Sequence, residues 1–278
     1  MKVCAAVVQM RATRGLAGNL ETAEALVAQA CAQGANLVVV PENFAYFGHK
    51  PLTELAATEK TAAEKTAAGP ARALLARLAR EHRIWLLGGT IPVAEPDDAK
   101  PYARSLLYSP EGVEVACYDK VHLFDVDVAE TDVRYRESDD YRAGGNAVVA
   151  DVAGVGLGLS VCYDLRFPEL YRQLAGRGAR ILAAPSAFTA TTGRAHWQLL
   201  LRARAVENLC FMLGANLVGR DDKKNPTWGG SAIIDPWGRV LAELDDEEGV
   251  AIADLDLREQ DDIRRNMPVM DHRRIFAV

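Results

Sequence analysis

Apolar and polar positions along this chain fall into a repeated order: a short, almost wholly apolar run, a stretch with helical spacing, then another apolar run. Residues 2–10, 37–40 and 84–91 are mostly apolar runs of strand length, the second of them continuously apolar. Between them, residues 20–33 and 71–82 carry apolar side chains at helical spacing, with Leu74, Leu75 and Leu78 on one face of the second. Asn19 reads as the N-cap of the first helix and Gly34 as its stop, and Gly69-Pro70 opens the second. Residues 103–108 and 113–118 flank Ser109-Pro110-Glu111-Gly112, a hairpin turn. Residues 119–145 are polar and without a period, and read as one irregular loop long enough to be functional. The second half predicts a hairpin (147–152 and 155–161 around Ala153-Gly154), a helix over 167–177, a strand over 180–184, a helix over 193–209 and a strand over 210–215. A further hairpin (231–235 and 239–243) surrounds Asp235-Pro236-Trp237-Gly238, followed by a strand over 250–256 and a helix over 257–266.

One segment is echoed. Gly34-Ala35-Asn36-Leu37-Val38-Val39-Val40-Pro41-Glu42-Asn43-Phe44 matches Gly178-Ala179-Arg180-Ile181-Leu182-Ala183-Ala184-Pro185-Ser186-Ala187-Phe188, 144 residues later. Each copy is a helix stop, a buried strand and a proline that ends it. A single repeat at about half the chain is not a solenoid period; it predicts two similar β-α-β halves in one body. No Ser/Gly/Pro-rich linker divides them, so residues 1–278 read as a single domain. Strands apolar on both sides belong to sheets covered on both faces, which makes the class α/β. The tail, 267–278, is rich in arginine and apolar residues and is predicted to pack on the body or on a partner subunit.

Composition narrows the function. With 278 residues, 49% hydrophobic and 25% charged, the chain is an ordinary globular one with ample material for a core. A net charge of −6 without long like-charge blocks argues against nucleic acid or an anionic membrane as the partner. The first apolar run is too short for a signal-peptide core or a span, and no later run reaches membrane-spanning length, so a cytoplasmic protein is expected. The five cysteines and five histidines are scattered, with no C-x-x-C or paired-His spacing, so neither a metal nor another cofactor is expected. Cys4, Cys31, Cys117 and Cys210 read as reduced core residues.

Cys162 stands apart. It follows the run 155–161 and precedes Phe167-Pro168-Glu169-Leu170, a helix start, so it sits where a strand turns into a helix. A thiol there has access and nearby backbone N–H donors for a developing oxyanion. Taken alone it reads equally as a small core hydrophobe. Glu42 follows the run 37–40 at a strand's carboxyl end, where open α/β sheets put their sites, or is a solvated loop acid. Lys120 follows the run 113–118 among residues that look buried; it wants a carboxylate partner, or it snorkels.

Glu42, Lys120 and Cys162 stand in that order, 78 and 42 residues apart, each just after a strand. Pro41-Glu42-Asn43-Phe44, Asp119-Lys120-Val121-His122-Leu123-Phe124 and Cys162-Tyr163-Asp164-Leu165-Arg166-Phe167-Pro168-Glu169-Leu170 resemble the three signature blocks of the nitrilase superfamily, the carbon–nitrogen hydrolases. The similarity continues through Thr191-Thr192-Gly193 with Ala195-His196-Trp197, through Arg202-Ala203-Arg204-Ala205-Val206-Glu207-Asn208 and through Asp235-Pro236-Trp237-Gly238, and so covers nearly the whole chain. The resemblance implies a four-layer α-β-β-α sandwich that pairs through its helices as a homodimer or a higher homo-oligomer. It implies a Glu-Lys-Cys triad at Glu42, Lys120 and Cys162, and a further glutamate at Glu137. By motif the chain looks like the branch of amidases for deaminated glutathione and α-keto ω-amides. It departs from that branch at Gly229-Gly230-Ser231, where Gly-His-Ser is usual.

The chemistry is coherent without the family. A thiolate attacks an amide carbonyl and forms a thioester, dividing one hard step into two, with water as the second substrate. Glu42 would move the protons; Lys120 and the Tyr163 N–H would hold the oxyanion. Tyr46, Phe47, Ser186, Phe188 and Thr189 are candidate walls, and Arg166 and Arg194 candidate cations for a substrate carboxylate, Arg166 being equally a partner for Asp164 or Glu169. A carbamoyl amide or a nitrile could use the same triad. A Cys-His hydrolase would need His122 or His196 as base, although His196 beside Trp197 reads as a packed structural residue. An inactive binding module on this fold is the remaining alternative.

Overall fold

The computed structural model describes residues 3–48, 52–59, 69–95, 99–128, 133–220 and 226–275. In chain order the elements are β1 (Val3–Gln9), α1 (Leu16–Ala32), β2 (Leu37–Val39), α2 (Leu52–Thr58), α3 (Pro70–His82), β3 (Trp85–Val93), β4 (Tyr102–Tyr108) and β5 (Glu114–Asp119). Then come β6 (Asp125–Val128), β7 (Val133–Arg136), β8 (Val148–Val152), β9 (Val155–Leu159), α4 (Pro168–Gly176), β10 (Ala179–Ala183) and α5 (Ala190–Asn208). The chain closes with β11 (Phe211–Gly214), β12 (Val218–Arg220), β13 (Pro226–Trp228), β14 (Ala232–Ile234), β15 (Val240–Glu243), β16 (Gly249–Leu255) and α6 (Leu257–Asn266).

Two six-stranded sheets run in the orders β16-β1-β2-β3-β4-β5 and β8-β9-β10-β11-β14-β15. Read that way, the pairings match strand for strand: antiparallel, parallel, parallel, antiparallel, antiparallel. The sequence echo is thus β2 matched to β10, the same place in each sheet. Val3, Ala5 and Val7 of β1 face the core shared by both sheets, and Ala6 and Val8 face the core under α1 and α3. The period-two alternation of a strand therefore buries both faces, as the unbroken apolar runs require. Leu170 and Leu174 of α4, with Trp197 and Leu201 of α5, cover the outer face of the second sheet. The layers are helix, sheet, sheet, helix.

Several boundaries differ from expectation. Asn19 lies inside α1, not at its cap: its side chain accepts the Thr13 N–H at 2.9 Å and donates to the carbonyls of Thr13 at 2.7 Å and Ala45 at 2.9 Å. Those bonds tie the loop after β1 to the loop carrying Glu42, and tertiary contacts override the local cap preference. Helix α5 begins three residues early because Thr189 caps it, its hydroxyl accepting the Thr192 N–H at 3.3 Å. Residues 119–145 are not one irregular loop. They contain the β6–β7 hairpin and a single 3-10 turn, Glu137–Asp139, whose polar alternation carries little hydrophobic signal. The short α2 and the β12–β13 pair lacked a pattern long enough to read. Only Cys210 of the four remaining cysteines is a core residue; Cys117 is exposed because β5 is an edge strand, and Cys4 and Cys31 are half-buried. In the tail Met270 Sδ accepts from Arg172 of α4 at 2.8 Å, Ile275 is exposed, and residues 276–278 lie outside the described residues, as does His49.

One glycine shapes the site from behind. A Cβ on Gly89 of β3 would stand 1.6 Å from the Pro41 carbonyl oxygen, immediately before Glu42. Gly89→Ala must therefore push the Glu42 loop off β3. We expect a loss of about 2–3 kcal/mol in urea unfolding, with turnover falling alongside; an unchanged midpoint would mean that this approach is not required.

Candidate active site

Glu42, Lys120 and Cys162 converge although 120 residues separate the first from the last. Each is delivered by a strand end. Pro41 cannot donate to a ladder, so β2 stops, and Asn43 turns the chain at a φ of 57° with its N–H on Thr90 Oγ1 at 3.0 Å. Lys120 leaves β5 with its N–H still on the Ala103 carbonyl at 3.0 Å. Cys162 follows β9, donates its N–H to the Pro185 carbonyl at 2.9 Å, and takes a φ of 48°. A non-glycine residue in that left-handed region stores local strain, of order 1–3 kcal/mol, at the turn that presents the thiol.

The Lys120 ammonium is 2.8 Å from Glu42 Oε1 and 2.8 Å from both carboxylate oxygens of Glu137. Lys120 and Glu42 are 2% and 3% exposed, so this is a buried charge cluster and not a surface pair. Glu42 Oε2 accepts the Ala187 N–H at 2.9 Å, and Glu137 Oε2 accepts the Phe124 N–H at 2.6 Å. Burial by itself pulls the Lys120 ammonium down, but Glu137 and then Glu42 outweigh it and hold it well above its ordinary range. Burial raises the Glu137 carboxyl, opposed chiefly by Lys120. Burial also pushes the Cys162 thiol well up, and the Glu42 charge adds to this while Lys120 opposes it.

Cys162 opens a short 3-10 turn, Cys162–Arg166. Its own N–H and that of Asp164 have main-chain acceptors, whereas the Tyr163 N–H between them has none among the described residues and stands beside the thiol as a ready donor. Asp164, fully buried, fastens this turn to the Lys120 segment. It accepts the Val161 N–H at 2.8 Å and the Tyr118 hydroxyl at 2.7 Å, and it takes the His122 N–H at 3.1 Å and His122 Nδ1 at 2.6 Å. His122 in turn stacks on Phe167 with centroids 3.6 Å apart. The sequence reading missed this anchor; the adjacency of Asp164 to Cys162 was its only trace.

The three side chains line a cavity of about 540 Å³, together with Glu137, Tyr163, Tyr46, Phe47, Arg166, Phe188, Thr189 and Ala187. Arg166 lies over the rings of Tyr163 and Phe188, 5.7 and 5.5 Å from their centroids, with Nη1 3.3 Å from His196 Nδ1. Asp164 is spent on other donors, so the reading of Arg166 as its partner does not hold, and no bond joins Arg166 to Glu169. One expected wall residue and one expected cation are elsewhere. Ser186 is fully buried, its hydroxyl donating to the Ala184 carbonyl at 3.0 Å, so the second copy of the echo contributes the Ala187 N–H instead. Arg194 is exposed on α5 and does not line the cavity. Neither His122 nor His196 lines it either, and His196 is exposed and not packed; Trp197 is the buried one. Among the described residues no group of three or more His, Cys, Asp or Glu could hold a metal.

Gly230, where the resembled branch usually has histidine, lies outside the cavity lining at a φ of 65°. A Cβ there would meet Trp228 Nε1 at 2.9 Å, and its carbonyl accepts from Trp197 Nε1 at 2.6 Å. The tryptophans occupy the space that a side chain would need.

The carbon-nitrogen hydrolase family model matches residues 4–265. A deaminated glutathione amidase of Synechocystis is 41% identical over 273 residues, covering 97% of each chain. The omega-amidase of Homo sapiens is 37% identical over 277 residues, covering 98% of this chain and 96% of that one. The crystal structure of Saccharomyces cerevisiae Nit3, described as a member of branch 10 of the nitrilase superfamily, superposes with a TM-score of 0.87 at 29% identity over 99% of this chain and 97% of that one. With the family model spanning nearly every strand of both sheets and relatives matched end to end, this chain belongs to the carbon-nitrogen hydrolases, in the amidase branch of the nitrilase superfamily.

Proposed function

We propose that this protein hydrolyses a small, carboxylate-bearing amide, of the deaminated glutathione or α-keto ω-amide type, through a thioester on Cys162. The observation that carries this reading is the buried ammonium of Lys120 held between Glu42 and Glu137 at the floor of the cavity that Cys162 lines. Glu42 takes the thiol proton as sulfur attacks the carbonyl carbon. The oxyanion forms between the Tyr163 N–H and the Lys120 ammonium. Glu42 returns the proton to the departing nitrogen, and the amine or ammonia leaves. It then takes a proton from water, which attacks the thioester and frees the acid and the thiol. Glu137 keeps Lys120 charged and oriented. Tyr46, Phe188 and Thr189 bound the acyl chain, and Arg166 takes its carboxylate, held out of reach of acidic partners by the two rings beneath it.

The same reading takes residues 1–278 as one hydrolase domain acting in the cytoplasm as a homodimer or a higher homo-oligomer. Leu199 and Val206 on α5, at 66% and 40% exposed, and Trp237, at 58%, are the apolar surface that supports pairing. Among the described residues no helix is long and apolar enough to cross a membrane.

The substrate test compares deaminated glutathione, α-ketoglutaramate, an N-carbamoyl amino acid and an aliphatic nitrile at equal concentration. One of the first two should turn over fastest; a faster carbamoyl compound or nitrile would overturn the amide assignment. Glu42→Gln tests the proton carrier by two readouts that move oppositely. Removing the carboxylate charge lowers the thiol pKa, so alkylation of Cys162 should accelerate at neutral pH. Turnover should nonetheless fall by about 10²–10⁴-fold, because the base is gone. Turnover unchanged in the glutamine variant would remove Glu42 as the proton carrier.

A further inference from the structure

Tyr141 is a buried tyrosine on the wall of the catalytic cavity. It is 8% exposed and lines that cavity with Glu42, Lys120 and Glu137. A buried tyrosine hydroxyl ordinarily finds a partner in the protein. Tyr118 donates to Asp164 at 2.7 Å, Tyr171 pairs with Ser160 Oγ at 2.6 Å, and Tyr108 donates to Glu114 at 3.4 Å. The Tyr141 hydroxyl has no hydrogen bond among the described residues and ends at the cavity. We propose that Tyr141 is a further catalytic residue, whose hydroxyl holds the water that Glu42 activates against the thioester. This inference rests on the thioester scheme above and adds the group that fixes the nucleophile of its second half.

The segment around Tyr141 is fastened to Lys120 at both ends. The Glu137 carboxylate accepts from the Lys120 ammonium at 2.8 Å, and the Gly144 N–H donates to the Lys120 carbonyl at 2.9 Å. Between them the Tyr141 N–H donates to the Glu137 carbonyl at 2.9 Å, and the Arg142 N–H to the Pro101 carbonyl at 2.9 Å. A Cβ on Gly144 would stand 2.2 Å from the Asp119 carbonyl oxygen, so the segment lies close against the end of β5. Tyr141 is therefore held at a set position beside the charge cluster. Burial, and after it the charges of Glu137 and Glu42, push the phenol up, so it stays protonated.

A water fixed for attack needs about two to four polar partners. Glu42 supplies one. Its Oε1 takes the Lys120 ammonium and its Oε2 the Ala187 N–H, which leaves a lone pair on each oxygen. Once the sulfur is acylated it has no proton to give, and Glu42 is free to accept from water. Glu137 is less suited, since both its oxygens accept from Lys120 and one also from the Phe124 N–H. A water with one hydrogen on Glu42 and a second contact at the Tyr141 hydroxyl keeps a lone pair for the acyl carbon. In the step, the water oxygen bonds to that carbon and its proton passes to Glu42. The C–S bond then breaks and the proton goes on to sulfur. Tyr141 keeps its own proton throughout.

The experiment sets hydroxylamine against water for the acyl-enzyme. The substrate is succinamate, a carboxylate-bearing ω-amide without the keto group that would itself consume hydroxylamine. Tyr141→Phe keeps the ring and removes an oxygen that has no hydrogen bond among the described residues, so the urea midpoint should not move. The ratio of hydroxamate to free acid should rise about tenfold, the effect of one neutral hydrogen bond lost from the attack of water. Hydroxylamine, the stronger nucleophile, depends less on that anchor. The value of kcat/KM, which reports the steps up to amine release, should stay within about twofold. The ratio is counted per acyl-enzyme formed, so a smaller folded fraction does not move it. With α-ketoglutaramate, the share of Cys162 found acylated on quenching should rise in the variant. An unchanged ratio overturns the inference, whether kcat/KM holds or falls and so assigns the phenol to acylation; an unchanged acylated share overturns it too. Either result, with turnover in wild type, leaves the amidase reading intact. Wild type that turns over no amide removes that reading as well.

Discussion

Cys162→Ala should leave no measurable turnover, a loss of about 10⁴-fold or more, in a protein that still unfolds cooperatively near the wild-type midpoint. The expected asymmetry follows from what the thiol touches. It is 8% exposed and lines the cavity, and its removal deletes one sulfur without stranding a charge. Lys120 keeps both carboxylates, Glu42 keeps the Ala187 N–H, and Asp164 still holds the turn. The backbone strain at a φ of 48° is the same for alanine as for cysteine, so no relief or further cost arises there. The stability change should stay within about 1 kcal/mol. Wild-type enzyme quenched during slow turnover should carry the acyl mass on the peptide containing Cys162. Residual turnover in the alanine variant, or an adduct on another cysteine, would end the thioester scheme.

Lys120→Met should damage both activity and fold. The wild-type cluster holds two carboxylates around one ammonium, and methionine removes the only positive member while filling its volume. Breaking a buried ion pair from one side costs about 3–5 kcal/mol, because the partner charge is left behind. Here two are left, facing each other. For a chain of this size that is a fall of roughly 10 °C in Tm. The pH dependence identifies the cause. Burial already raises the folded-state Glu137 carboxyl, and without Lys120 the chief opposition to that rise is gone, so it stands further above the unfolded glutamate value, near 4.3. The folded state then binds more protons than the unfolded one, and stability falls as pH rises from about 4.3 through the raised folded value of Glu137. The variant's deficit should therefore be largest at neutral pH and shrink towards about pH 4. In wild type the sign for Lys120 is opposite: its folded pKa is raised, so its contribution is full below the unfolded lysine value and is lost only in strong alkali. A deficit independent of pH would mean that lost packing, not uncompensated charge, is the cause. Turnover should be lost at every pH, since the oxyanion loses its cation.

The correspondence of the two halves bears on how such a site arises in the fold. Glu42 follows β2, and Ala187 follows the matching strand β10, and the two are joined by one hydrogen bond of 2.9 Å. The two copies of the echo thus meet at the site, one supplying a carboxylate and the other a main-chain donor. Only the main chain is common to both copies, which is why a serine in the second copy predicts nothing about its hydroxyl.

Much of this was legible along the chain. Unbroken apolar runs separated by helical stretches determine covered sheets, because a strand apolar on both faces has no solvent side. Prolines at 41 and 185 determine where β2 and β10 stop, since neither can extend a ladder. An ionisable or nucleophilic residue just past the end of a strand stands at a sheet's edge, and that is what singles out Glu42, Lys120 and Cys162. The tertiary structure decided what local pattern cannot carry. Side-chain direction at a strand end depends on which neighbour takes each polar atom, so Ser186 turned inward to Ala184 and Arg194 outward on α5, while Arg166 turned over Tyr163 and Phe188. The β6–β7 hairpin has too little apolar periodicity to announce itself and is held by Asp127 and by stacking on Phe124. Asp164 is a buried acid with one local bond, from the Val161 N–H, and three from Tyr118 and His122; sequence separation hides those three, and only the closing of one sheet against the other brings their donors to it.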